Sequence, residues 1–344
     1  AYGYNSLGDN TTSSGSVAIG HNALAFSTAS QTTAVGKSAL GANTTGVRNT
    51  AVGYASMDNN TTGQWNVAMG WQSLFDNVTG QRNVAIGYSA LENNTVNHNV
   101  GVGMQAMYTN TSGTGNVAIG DSALRQNTTG SDNTAIGSYN GSVLSALYNN
   151  TTGASNTAIG QGALKANTTA SNNTGIGKDA LGANTTGVNN TAVGQAALDA
   201  NTTGINNVAV GWESLGASVN GSYNTALGWR CLEDNTASDN TAVGAGALQN
   251  NTTGSQNTAL GKGALDANTT APYNTAVGYG SLGANVTGNQ NTAVGYLSLA
   301  ANTALKNTAV GAYAQYQSTS AQESTALGYA ALSALTTGHY NTAV

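Results

Sequence analysis

The chain has 344 residues, of which 39% are hydrophobic and only 7% charged, with a net charge of −5. That balance provides no polybasic surface, which argues against nucleic acid or anionic lipid as partners. No apolar run approaches the ~20 residues needed to span a bilayer, and a single cysteine, Cys231, cannot form an intrachain disulfide.

Glycine is abundant (46 residues) and proline nearly absent (1), a composition that reads as disorder unless a period organises it. The period is present. The phrase Asn49-Thr50-Ala51-Val52-Gly53 recurs as Asn66-Val67-Ala68-Met69-Gly70 and Asn83-Val84-Ala85-Ile86-Gly87. Its closing glycine runs from Gly3, Gly20 and Gly36 through Gly137, then from Gly160 to Gly328. The spacing is 17 residues almost everywhere, sometimes 16, and once 23. A fixed short period is the mark of a solenoid, in which each repeat stacks on its neighbours. The expected fold is all-β: a parallel β-solenoid of about twenty 17-residue coils. Stacked ~4.8 Å apart, they would make a rod of order 95 Å. The chain opens inside a repeat and stops at Asn341-Thr342-Ala343-Val344, just before the expected glycine. Residues 1–344 therefore read as one solenoid domain cut from a longer chain.

Numbered from its first Asn, the repeat is N-T-A-V-G-Y-x-A-L-x-x-N-T-T-G-x-x. Position 2 is Thr or Val and position 4 a larger apolar residue; two apart on a strand, they share a face. Position 3 between them is Ala, or Gly at Gly101 and Gly175. A position held to the smallest side chains is pressed against something. Position 9 is Leu or Met, with Gln315 the exception. Glycines at positions 5 and 15 are expected to supply corners with positive φ. Asn at positions 1 and 12 suits ladders of side-chain amides running from coil to coil. Each coil then offers about two large apolar side chains and two alanines, so either the solenoid is very thin or several chains pool their apolar faces. The small position 3 favours pooling, as a surface where backbones approach.

The phrase N/S-x-A-I/V-G-x-x-A, nearest in Ser16-Val17-Ala18-Ile19-Gly20, resembles the head repeat of YadA-like trimeric autotransporter adhesins. Similar N-T-A-V-G-Y-x-A-L arrays occur in bacteriophage tail-fibre-like proteins. The resemblance implies a left-handed parallel β-roll intertwined as a homotrimeric fibre, with adhesion to a host as its role. This coil is longer than the adhesin's by an N-T-T-G segment.

Two columns carry larger side chains. Position 6 reads Tyr54, Trp71, Tyr88 and Met104, and later Trp212 and Trp229; position 17 reads Arg48, Trp65, Arg82 and His98. In register, Trp65 would lie between two guanidinium groups. Arg48, Tyr54, Trp65, Trp71, Arg82 and Tyr88 are the candidate contacts for a surface glycan, whose pyranose faces are partly apolar; bracing of exposed corners by stacking is the alternative. The 23-residue interval adds a loop at about 138–143, where solenoid insertions often carry function.

No catalytic residues are assigned: Asp58, Asp76 and Glu92 share a solvated edge with nothing to desolvate them, so the chain reads as no enzyme. His21, His98 and His339 stand in distant coils, which suggests no zinc site, and the turns lack the recurrent Asp of calcium-binding solenoids. No metal and no cofactor is expected. Ice binding would need an uninterrupted threonine array, which position 2 breaks with Val six times. The reading is a shaft or head segment of an extracellular, cell-surface or virion fibre, homotrimeric, with a host-surface glycan as the further partner. The alternative is a subunit of an end-to-end extracellular filament.

Overall fold

The computed structural model describes all 344 residues. The chain is an all-β parallel β-solenoid of about 19 turns without a helix, so no helix is long and apolar enough to cross a membrane. The turns divide into two units, Ala1–Asn173 and Thr174–Val344. The first holds nine strands, from β1 (Val17–Ile19) to β9 (Thr157–Ile159), and the second eleven, from β10 (Thr174–Ile176) to β20 (Thr342–Ala343). Within each unit successive strands pair in parallel without a slip, as in Thr50↔Val67, Ala51↔Ala68 and Val52↔Met69.

Each strand but the two-residue β20 is three residues long, and its middle residue points inward. Ala18, Ala34, Ala51 and Ala68 are fully buried within the single chain, while positions 2 and 4 on either side face outward. This reverses the expected role of position 3. Alanine is small because the coil is thin, not because another chain presses on it. Its neighbours across that interior are the Leu or Met of position 9 and the Ala or Ser of position 8. Leu24, Leu40, Met57 and Leu74 in the first unit are fully buried, as are Leu181, Leu198 and Leu215 in the second. At Gly101 an added Cβ would stand 3.0 Å from Leu91 Cγ, which locates the strand centre against the leucine column. Cys231 occupies position 8, buried in the slot that alanine or serine fills elsewhere.

The asparagine ladders are present. At position 1, the Asn66 backbone N–H donates to Asn49 Oδ1 at 2.9 Å, and Asn83 N–H to Asn66 Oδ1 at 2.9 Å. At position 12, Asn60 Nδ2 donates to Asn43 Oδ1 at 2.7 Å and Asn77 Nδ2 to Asn60 Oδ1 at 2.9 Å. All six side chains are buried, so the ladders satisfy polar groups that would otherwise be costly to desolvate. The threonine after position 12 joins in: Thr44 Oγ1 donates to the Thr61 carbonyl at 3.1 Å.

The two glycine columns differ in cause. Gly53 has φ 138, and a Cβ there would meet the carbonyl of Gly70 one coil on; both conformation and space demand glycine. Gly46 at position 15 has no positive φ. It is glycine because a Cβ would collide with the Gly63 carbonyl and with Asn43 Oδ1 at 2.6 Å. The left-handed corners expected there lie instead at position 17, where Arg48, Trp65 and Arg82 have φ between 56 and 58, and at position 9, where Leu40 has φ 51.

Candidate functional site

Three surfaces come from this coil. The first is the outward strand face. Because the inward residue is alanine, positions 2 and 4 place a row of β-branched and aliphatic side chains outside. At position 2 Val17 is 46% exposed; at position 4 Ile19 and Met69 are 44% and 42% exposed, Ile86 and Ile119 share that position in the first unit, and Leu227 and Leu260 hold it in the second. Recurrent exposed aliphatic side chains of this kind make the strand face a candidate interaction surface.

The second surface is the column at position 6, just beyond the Gly53 corner. Tyr54, Trp71 and Tyr88 stack face to face, with centroids 6.0 and 4.8 Å apart and planes 11° and 3° apart. The column extends to Lys37 Nζ, 5.7 Å from the Tyr54 ring. Position 17 forms a separate column at the other end of the strand. Arg82 lies 5.2 Å over Trp65 and its Nη1 is 3.2 Å from His98 Nε2. Arg48 does not complete the expected sandwich; its Nε donates to Gln31 Oε1 at 3.0 Å. The six residues singled out in the sequence therefore belong to two columns, each internally stacked, with no ring contact joining them. Trp71, covered on both faces by tyrosine, offers a ligand only its edge.

The third surface surrounds the insertion. Residues 138–143 form an exposed loop, in which Asn140 Oδ1 accepts from the backbone N–H groups of Ser142 and Val143. Beside it Arg125 lies between two tyrosines of the neighbouring coils, 5.5 Å from Tyr108 and 5.9 Å from Tyr148, with its Nη1 donating to Tyr148 Oη at 3.1 Å. A cation between two rings thus occurs at position 10. The sequence places Tyr108, Arg125 and Tyr148 one coil apart at that position, but the insertion masks the spacing of the last. The Glu92 carboxylate beside Tyr108 raises that phenol above its ordinary range.

The acidic edge is less solvated than its composition suggests. Asp58 is half-buried, and desolvation raises its carboxyl above the ordinary carboxylate range, partly offset by a hydrogen bond from the Gly41 backbone. Asp76 Oδ1 accepts from Asn59 Nδ2 at 2.9 Å, and Phe75 stands at position 10 between Asp58 and Glu92. Another cluster sits in the second unit, where Trp212 and Trp229 stack at 5.9 Å and Arg230 lies against both rings.

No protein-family model matches the chain, and no curated protein is significantly similar to it.

Proposed function

We propose that the chain is a structural segment, shaft or head, of an extracellular or virion fibre in which three copies associate through their strand faces. The observation that carries this reading is the outward apolar column, Ile19, Met69, Ile86 and Ile119 in the first unit and Val210, Leu227 and Leu260 in the second. The coil interior is already filled by alanine and leucine within one chain, so these side chains are left for a partner. A second copy of the same chain carries the same column at the same pitch, which fits a homo-oligomeric interface. The mechanism is mechanical. In-register backbone and asparagine ladders resist shear between coils, and association covers apolar surface worth ~25 cal/mol per Å². Adhesion to a host or other surface falls to the aromatic columns that flank the strand face. The test is light scattering on the folded chain: three times the chain mass is expected, and a stable monomer at micromolar concentration would overturn the trimer.

One observation favours a second reading. From Thr225 through Thr241, Thr258, Thr275, Thr292, Thr308 and Thr325 to Thr342, position 2 is an unbroken threonine column in strict register. Regularly spaced outward threonines suit an ordered-water or ice surface. Inhibition of ice recrystallisation by a monomeric chain, lost on Thr275→Lys, would favour that role over the fibre.

A further inference from the structure

We infer that Trp229 is the floor of a saccharide site, which takes a neutral hexopyranose ring in the gap where the aromatic column of the second unit is interrupted at Ala245 and Lys262, before it resumes with the stacked Tyr279 and Tyr296. This goes beyond the fibre reading and requires neither the trimer nor the early coils.

One side of the Trp229 neighbourhood is closed. Trp212 stacks on it with planes 15° apart, and Arg230 lies 5.9 Å from the first ring and 5.3 Å from the second. The guanidinium is pinned by a hydrogen bond to Glu233, while its Nε is 3.6 Å from Glu213 Oε2, too far for a second one. The other side is open. The following coil has Ala245 at position 6 and Gly246 at position 7, so no ring stacks on Trp229 from that direction. Trp229 is accordingly 49% exposed, against 39% for Trp65, 40% for Trp71 and 39% for Trp212.

A depression of about 320 Å³ fills this gap, lined by Trp229, Ala245, Gly246, Gln249, Lys262 and Asp266. Coils lie ~4.8 Å apart, so one missing side-chain ring leaves room for one ring of ligand stacked on the indole. A pyranose has that thickness, an apolar C–H face to lay on the indole, and hydroxyls at its rim. The polar groups of the depression suit such a rim. Gln249 Nε2 is held by Glu233 Oε2 at 2.9 Å, which leaves its carbonyl oxygen as an acceptor. Lys262 has no ion-pair partner and can donate. The Asp266 carboxylate, touched by Asn250 Nδ2 at 3.4 Å, can accept; burial raises its pKa above the ordinary range.

Charge selects the kind of sugar. Asp266 balances Lys262 within this depression, and in the neighbouring one Glu213, Glu233 and Asp234 outnumber Arg230, an acidic surround that disfavours sialic or uronic acids. Trp71 makes the contrast: sandwiched between Tyr54 and Tyr88, it has no free face.

The experiment titrates the whole chain with lactose, cellotetraose and chitotetraose, and with 3′-sialyllactose as the acidic arm, by calorimetry and saturation-transfer NMR. At least one neutral sugar is expected to bind, and Trp229→Ala to weaken it about tenfold or more. Ala245→Tyr restores the ring that this position carries at Tyr54 and Tyr88; it is expected to abolish binding with thermal unfolding unchanged. Trp65→Ala is expected to leave binding as it was. The inference is overturned if no neutral sugar binds, if only the sialylated one does, or if binding survives Ala245→Tyr within about twofold. Light scattering on the same samples reads the oligomer separately, so failure of the sugar site and failure of the trimer are told apart.

Discussion

In the first unit five of the nine strands carry valine at outward position 2, namely Val17, Val67, Val84, Val100 and Val117; in the second, ten of the eleven carry threonine, with Val208 the exception. The interior does not follow this divide. Alanine at the strand centre, leucine at position 9 and asparagine at positions 1 and 12 are buried alike in both units. The coil interior is set by a space too narrow for alternatives, whereas the outward face can change its chemistry without touching the fold. If that face holds copies together, the valine-bearing unit is the more adhesive and the threonine-bearing unit the more hydrated.

The largest expected effect tests that difference directly. Val67→Glu/Val84→Glu/Val100→Glu should turn the proposed trimer into monomers by light scattering, since each half-exposed valine covered by an interface contributes up to ~1.5 kcal/mol and stacked carboxylates repel. Thr258→Glu/Thr275→Glu/Thr292→Glu should weaken association less. Equal effects would erase the distinction between the units. A second pair of variants tests the shared interior: Leu124→Ala and Leu248→Ala, both at fully buried sites, should each cost about 2–5 kcal/mol in denaturant unfolding. A marked inequality would mean that the two interiors are not equivalent.

Two smaller predictions concern places where the second unit departs from its own rule. Gln315 sits buried in the leucine column with both amide atoms unpartnered. Gln315→Leu should therefore stabilise the chain by about 1–3 kcal/mol, read as a raised unfolding midpoint. Cys231, buried in its column between Ser214 and Ala247, has its thiol pushed up to about 12 from an ordinary 9.0, chiefly by desolvation. The folded state holds the proton that the unfolded chain releases, so stability from this site is complete below pH 9 and is lost as pH rises toward 12. At pH 10 the loss is about 1.4 kcal/mol, and Cys231→Ala should remove that part of the alkaline decline.

Much of this was legible from the period alone. Leucine at position 9 and the two asparagine columns are restricted over many repeats because burial restricts them, and a repeat displays such restriction without any second sequence. Alternation on a strand, by contrast, defines two faces without saying which is inside. Thr50 and Val52 are larger than Ala51 and look like the interior pair, yet a thin coil admits only the alanine. The same ambiguity hid the cause of glycine at position 15: Gly46 avoids a collision with the next coil, a constraint between repeats that no single repeat displays. Arg48 turned to Gln31 rather than to Trp65 because an exposed side chain with several partners in reach takes the one with the better hydrogen bond, a choice its spacing does not encode.

The loop at 138–143 changes nothing in the strands around it. Thr134 still pairs with Thr157, Ala135 with Ala158 and Ile136 with Ile159, and the asparagine ladder crosses the longer interval intact, Asn150 Nδ2 donating to Asn127 Oδ1 at 2.9 Å. The corner between positions 5 and 9 is thus a site where length is free and register is protected. Any coil of this chain can in principle acquire a new surface there by insertion alone, so the scaffold separates the inheritance of its fold from the evolution of what it displays. The same corner is the natural graft point for a foreign peptide.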